Sequence, residues 1–272
     1  MNGASSPRTL ERNFLLLPVW SLFAREVLRF VRQRNRVIGS LGPPLLFWLL
    51  LGSGFGRTLR PPGLAEGMDY RLYFFPGTVM LVVLFTAIFS SLSVIQDRSE
   101  GFLQGVLVAP VPRLAIVLGK VLGGTALGFF QGLLMLALAP LAGLSMSAAG
   151  FLAACAAIAL TALSLSALGF LMAWRMDSVQ GFHAVMNLLL MPMWLMSGAF
   201  VPATGAAPWI RVVMAVNPLT YGMSALRTAL HPAETWGALG LVDPWLAFGL
   251  VAAFSAVTLG LSVWIASRPE RG

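Results

Sequence analysis

Of the 272 residues, 58% are hydrophobic and only 10% charged, whereas a soluble domain carries about a quarter charged residues. With a mean hydropathy of +0.83, such a chain cannot clothe a water-facing surface, which excludes a soluble enzyme and predicts an all-α polytopic membrane protein. Six spans and their connections consume nearly the whole length, so any soluble activity is expected on another chain. The formal charge of +8 leaves nucleic acid or a membrane surface open until the charges are placed. The single cysteine, Cys155, lies in an Ala-rich apolar run, permits no internal disulfide and reads as a small packing residue.

Residues 1–13 are polar. From Phe14 a basic start followed by FLLLPVWSLFA has the look of a signal peptide. The next turns predict instead an amphipathic helix in the membrane interface, within a cytoplasmic N-terminal region 1–36. Trp20, Phe23, Val27 and Phe30/Val31 follow helical spacing, and Arg25, Arg29, Arg32 and Arg36 repeat on the opposite side, placed for lipid head groups. The transmembrane domain is then expected over 37–266. Span one, 37–55, is interrupted by Pro43-Pro44, which predict a kink. A polar loop over 56–71 leads to span two, 72–95.

Residues 97–108, within a connection of about 97–112, predict a short amphipathic helix. Phe102, Leu103, Val106 and Leu107 share one face, Asp97, Arg98, Glu100 and Gln104 fall mostly on the other, and Pro110 and Pro112 end it. Asp97 and Glu100 are expected at its start, where negative charge suits the helix dipole. Span three, 114–141, carries Gly124, Gly128 and Gly132 at four-residue spacing, a stripe that serves helix or dimer packing. A tight hairpin leads to span four, ending at Trp174, and the short polar connection 175–181 leads to span five, 182–200, with Pro192 inside.

Between spans five and six, residues 201–243 hold two apolar stretches, 209–216 and 219–230, each too short to cross and separated by Asn217-Pro218. They predict a re-entrant helical pair over about 201–230. The alternative is one kinked seventh span across 209–230, with Arg211 and Arg227 near its ends, which would move the C-terminus to the other side. Span six is 244–266 and the tail 267–272 is polar.

With both termini cytoplasmic, the inner segments hold 7, 3, 1 and 2 basic residues, 13 in all, against 5 on the other side. The positive-inside rule favours this orientation. The basic excess is therefore a membrane signal, and no nucleic-acid partner is expected. No acidic residue falls at mid-span, so proton coupling has little support. His183 and His231 are expected on opposite faces, so no metal site assembles. Gly119-Lys120 lacks the rest of a P-loop, so this chain binds no ATP by such a motif, and Lys120 is expected to snorkel to head groups.

Two segments, DRSEGFLQGVLVAPVPRLAIVLGK over 97–120 and SGAFVPATGAAPWIRVVMAVNPLTYGMSALR over 197–227, together resemble the membrane subunit of type-2 ABC exporters. The first, Asp97–Lys120, is similar to that family's acidic-x-x-Glu-Gly, apolar helix, Pro, Arg, Gly-Lys connection. The second, Ser197–Arg227, is similar to its run before the last span. The resemblance covers the whole layout and implies a permease subunit with no catalytic, cofactor-binding or metal residues of its own. It implies pairing with a second permease, identical or different, and two copies of an ATPase that holds ATP and Mg, in a bacterial inner membrane. It further implies that Asp97, Arg98, Glu100, Gly101, Pro110 and Arg113 couple to the ATPase, and that Pro202, Trp209, Asn217, Pro218, Tyr221 and Arg227 build an outer re-entrant gate, with Trp209 and Tyr221 as interfacial anchors. The look-alikes among daunorubicin-resistance and nodulation-signal exporters imply a drug-like, lipid-like or glycolipid cargo. Gln131 and Asn187 are scattered polar groups within the spans. A non-transport anchoring or assembly subunit is the alternative.

Overall fold

The computed structural model describes residues 7–32, 34–54 and 69–268, with side chains described for 15–32, 38–52 and 69–268. The described residues are helical apart from short connections. Helix α1 (Pro7–Arg32) is followed by α2 (Arg34–Phe47), which runs through Pro43-Pro44 and widens into a π-helical stretch, Trp48–Gly54. The proline pair thus loosens the helix a turn later. Its apolar portion, Ile38–Gly52, is about 22 Å long at 1.5 Å per residue, shorter than a hydrocarbon core of about 30 Å. The expected loop 56–71 lies outside the described residues as far as position 68.

Five helical stretches are long and apolar enough to cross a membrane: Tyr70–Ser99, Arg113–Leu136, Ala148–Ala173, Val179–Ala199 and Pro244–Ala266. The first comprises α3 (Tyr70–Ser90) and α4 (Leu92–Ser99), joined at Ser91. Helix α5 (Phe102–Val108) follows, then α6 (Arg113–Leu136), the single turn α7 (Ala139–Ala142), α8 (Ala148–Ala173) and α9 (Val179–Trp194) with a π-helical end, Leu195–Ala199. Helices α10 (Pro208–Val216), α11 (Pro218–Leu230) and α12 (Pro244–Ala266) complete the chain. Local signals set many of these starts. Ser147, Ser178, Asn217 and Asp243 each accept a backbone N–H of the first turn of α8, α9, α11 and α12, relieving donors that a helix end leaves unpaired.

Helix α3 is the centre, buried almost all round from Tyr70 to Ile88, as a helix apolar on every side must be. Helix α6 lies between α3, α8 and α1, while α8 packs on α6, α11 and α12. Small residues allow the closest approaches. A Cβ at Gly132 would meet Ile158 Cγ2 at 2.7 Å and Val83 Cγ2 at 2.8 Å; at Gly128 it would meet Ala162 and Ala87, and at Gly124 it would collide with Ser90 and Ser166 hydroxyls. The glycine stripe is therefore filled by this chain's own α3 and α8, and the dimer-packing reading of Gly124, Gly128 and Gly132 is set aside. A second stripe on α6 receives α1, since a Cβ at Gly119 would meet Leu22 Cβ at 2.6 Å and one at Gly123 would meet Glu26 Cβ at 2.7 Å. Helix α12 binds α8 through Ser255 and Ser262, whose hydroxyls donate to Leu160 O and Ala167 O at 3.3 and 3.0 Å.

The described termini share one end of the bundle. Helices α8 and α12 run in the same direction, because Ser255 pairs with Leu160 and Ser262 with Ala167. The end of α8 meets Arg98 through Trp174 O, and α1 meets Asp97 at the same end. The 201–243 segment enters and leaves at the opposite end. Asn217 Nδ2 donates to Met193 O at 2.6 Å, in the last turn of α9 ahead of its π-helical end, and Gly222 lies against Thr161 in the middle of α8. Ala229 then returns to Gly150 at the start of α8, and Gly240 lies against Ala203 and Thr204. A single span over 209–230 would separate 203–204 from 240 by the full bundle. The segment thus begins and ends at one end of the bundle, which does not fit a single kinked span.

Candidate functional site

At the end shared by the termini, the polar connection forms a clamp. Helix α4 continues through Asp97 and Arg98 to Ser99, so these residues occupy the last turn of span two. The expected helix starting at Asp97 is corrected to the seven residues 102–108, entered through Gly101 at φ +79°, a left-handed conformation that favours glycine. Asp97 thus faces the unfavourable, carbonyl-bearing end of its helix and is 0% exposed. Cations from two other helices compensate. Arg25 donates through both terminal nitrogens to Asp97 at 2.7 Å, Arg29 donates at 2.9 Å, and Lys120 donates to Asp97 and Glu26. Ser93 Oγ accepts from Lys120 at 3.2 Å, and Arg29 reaches Glu100 at 3.3 Å. The bond to Asp97 outweighs burial and raises the Arg25 pKa above its usual value.

Two expectations are corrected by this cluster. Lys120 is buried between two carboxylates and does not reach toward head groups. Arg25 and Arg29 turn inward to the connection, and the face of α1 bearing Leu22, Glu26 and Phe30 is buried. The reason is geometric: a partly basic helix seated on a glycine-lined span brings its arginines within reach of the preceding span's acidic end. Arg32 remains exposed. Arg36 falls in α2 with its side chain outside the described residues.

The far side of the connection is held as well. Arg98 donates to Trp174 O at 2.7 Å, to Met176 O at 3.4 Å and to Asp177 at 3.1 Å. Between these two grips α5 is tethered by buried Leu103 and by Phe102, whose ring stacks under the Arg25 guanidinium at 3.7 Å. Its other side faces outward: Gln104 and Gly105 are exposed and Val108 is 87% exposed. Pro110 is exposed in the following turn and Arg113 opens α6; neither joins the ion cluster among the described residues.

At the opposite end a second polar cluster surrounds Arg227, which is 2% exposed. Arg227 donates to Tyr73 Oη at 3.0 Å and Tyr73 O at 3.2 Å, and approaches Ala199 O at 3.5 Å. Tyr73 Oη donates to Gly198 O at 2.5 Å and Trp194 Nε1 to Gly77 O at 2.8 Å. Among the described residues no carboxylate lies within ion-pair distance of Arg227. Its charge is balanced by the carbonyl dipoles freed where α9 widens at Gly198, φ +82°, and by the Tyr73 ring at 3.9 Å. Tyr221 Oη donates to Ala215 O at 2.5 Å, tying α11 back to α10, while Trp209 is exposed and Pro202 buried. His231, just beyond α11, has its pKa pushed down to about 4, first by burial and then by Arg227.

The sequence picked out Asp97, Arg98, Glu100 and Arg227 but missed Glu26, Tyr73 and the carbonyls of Trp174 and Met176. A lone Glu among the arginines of residues 25–32 was the available signal for Glu26. Gln131 is buried, and its Oε1 accepts from Ser40 at 2.8 Å and Thr86 at 2.5 Å inside the bundle. Asn187, by contrast, is exposed on α9. No group of three or more potential metal ligands occurs among the described residues.

A helical bundle of this kind, with five helices long and apolar enough to cross a membrane and a short outward-facing helix clamped between two of them, defines a multi-span membrane protein. The chain belongs to the ABC-2 type transporter membrane family, whose sequence model matches residues 18–231. It is similar to the inner membrane transport permease YadH of Escherichia coli, 27% identical over 259 residues that cover 93% of this chain and 95% of that one. It is also similar to the putative transport permease ycf38 of Cyanophora paradoxa, 24% identical over 82% of this chain and 77% of that one. The daunorubicin resistance ABC transporter permease protein DrrB1 of Streptomyces coeruleorubidus is 23% identical over 87% of this chain and 83% of its own length. The chain is thus a multi-pass membrane permease subunit of an ABC transporter, a family that normally works with an ABC ATPase.

Proposed function

We propose that this chain is the permease half of an ATP-driven exporter, pairing with a second permease and receiving two copies of a separate ATPase that holds ATP and Mg. The observation that carries this reading is the clamped connection. Arg25, Arg29 and Lys120 grip one side and the 174–177 turn grips the other, so a push on α5 is passed to α4 and α6 as a rigid displacement. The exposed Val108 and its neighbours offer that push a small apolar docking surface. In this reading both termini are cytoplasmic, in keeping with the basic-residue count, and α10 and α11 close the outer end of the pathway.

A cleft of about 470 Å³ between α9 and α10, lined by Leu188, Pro192, Met193, Met196, Val213 and Val216, suits an apolar or amphipathic cargo. Methionines adapt to varied shapes, and the similarity to a daunorubicin-resistance permease supports a drug-like or lipid-like molecule. The test is reconstitution with a candidate ABC ATPase subunit co-expressed with this chain. Co-purification, ATPase stimulation by the wild type and their loss in Val108→Glu, together with cargo movement into vesicles, are expected. Retention of both by Val108→Glu refutes α5 as the docking element. ATPase binding without measurable cargo movement refutes export in favour of an anchoring role.

A further inference from the structure

Helix α1 presents two adjacent strips that the internal clamp does not use up. Leu17, Trp20, Leu28 and Val31 are all at least half exposed and, at 3.6 residues per turn, form one apolar ridge. Beside this ridge runs the arginine row 25, 29, 32. At the boundary lies an open groove of about 640 Å³, bordered by Ser21, Arg25, Leu28, Arg29, Arg32 and Glu100. The inner arginines keep an outward side, with Arg25 32% and Arg29 20% exposed, and Glu100 is 57% exposed. Arg32 is exposed and makes no ion pair among the described residues.

We propose that this groove binds the phosphate of an anionic phospholipid, with Arg32 and Arg29 as the binding charges. Charge complementarity selects the phosphate: Arg25 and Arg29 are already matched by Asp97 and Glu100, so Arg32 is the surplus positive charge on the groove, and the outward side of Arg29 lies next to it. The adjoining ridge selects a lipid over a free anion, because acyl chains lie along Leu28 and Val31 as the head group meets the arginines. The phosphate competes with Glu100 for Arg29. That pair, at 3.3 Å, is the longest in the cluster around Arg29, whose bond to buried Asp97 is 2.9 Å. Lipid binding therefore exchanges the Glu100 contact and leaves the Asp97 contact in place, which loosens the turn immediately before α5. The site rests on the reading of α1 as a membrane-interface helix and needs no assumption about cargo or ATPase.

The test is native mass spectrometry of the full-length protein titrated in detergent with phosphatidylglycerol, phosphatidylcholine or inorganic phosphate. Wild type is expected to retain phosphatidylglycerol over phosphatidylcholine. Arg32→Gln should weaken it about fivefold, as one surface charge near an anionic lipid commands about 1 kcal/mol, and Glu100→Gln should tighten it. Arg175→Gln, an exposed charge at the same end, should bind as wild type. Equal losses in Arg32→Gln and Arg175→Gln overturn the groove in favour of diffuse attraction. Displacement of the lipid by millimolar inorganic phosphate overturns a lipid in favour of a free anion. Absence of retained phosphatidylglycerol on the wild type overturns the site altogether. Since the readout uses neither ATPase nor cargo, it stands or falls separately from the transport reading.

Discussion

Replacing Asp97 with asparagine keeps the side chain's size and removes the one charge on which three cations converge. Asp97 is wholly buried and accepts from Arg25 twice, from Arg29 and from Lys120. In the wild type three cations face three carboxylates, Glu26, Asp97 and Glu100; in Asp97→Asn one positive charge is left without a counterpart in a water-poor site. Breaking a buried pair from one side costs about 3–5 kcal/mol. At about 2–4 °C per kcal/mol for a chain of roughly this size, the melting temperature should fall by about 10 °C. Intrinsic tryptophan fluorescence during heating of the detergent-solubilised protein measures this. Lys120→Met in the Asp97→Asn background removes the surplus charge, so the double variant should be more stable than the sum of the single losses by about 1–3 kcal/mol. A melting point within about 2 °C of wild type for Asp97→Asn, or strict additivity in the cycle, would refute the clamp as a coupled unit.

Gly124→Ala places a methyl against the Ser90 and Ser166 hydroxyls and should destabilise by about 1–3 kcal/mol, whereas Gly260→Ala on α12 meets nothing within 4 Å and should melt like wild type; equal melting curves for both would remove the stripe's packing role. Arg227→Met strips the Tyr73 and Ala199 carbonyls and the Tyr73 hydroxyl of their cation and should cost about 2–4 kcal/mol, with the α10–α11 segment becoming susceptible to limited proteolysis before the rest; unchanged protease resistance would contradict it. For His231, a pKa lowered to about 4 from an unfolded value near 6.5 means the folded state favours the neutral ring. Its contribution is complete above about pH 6.5 and is lost as pH falls toward 4, by up to about 3 kcal/mol at 1.36 kcal/mol per pH unit. His231→Gln should accordingly lose less stability between pH 7 and pH 4.5 than wild type, and equal acid losses would contradict the assignment.

Where a feature depends on a few neighbouring residues, the sequence alone determined it. Apolar runs longer than a bilayer is thick fixed the long spans, because unpaired backbone in lipid leaves the chain little choice but helix. Asn217-Pro218 between two short apolar stretches fixed the break between α10 and α11, since proline at the second helix's start and an asparagine cap favour a new helix there. Tertiary structure alone decided which charges meet. Gln96-Asp97-Arg98-Ser99 has the polarity of a helix start, yet α4 runs through it, because Lys120, Arg25 and Arg29 arrive from 23, 72 and 68 positions away to neutralise Asp97. The same holds for the glycine stripe: four-residue spacing announces close packing, but only the fold shows that α3 and α8 fill it. Length, hydropathy and charge count thus set a charge-poor bundle in a membrane. Burial decided that six of its few charges are drawn together around one short connection, because an ion deprived of water must find its partners within the protein.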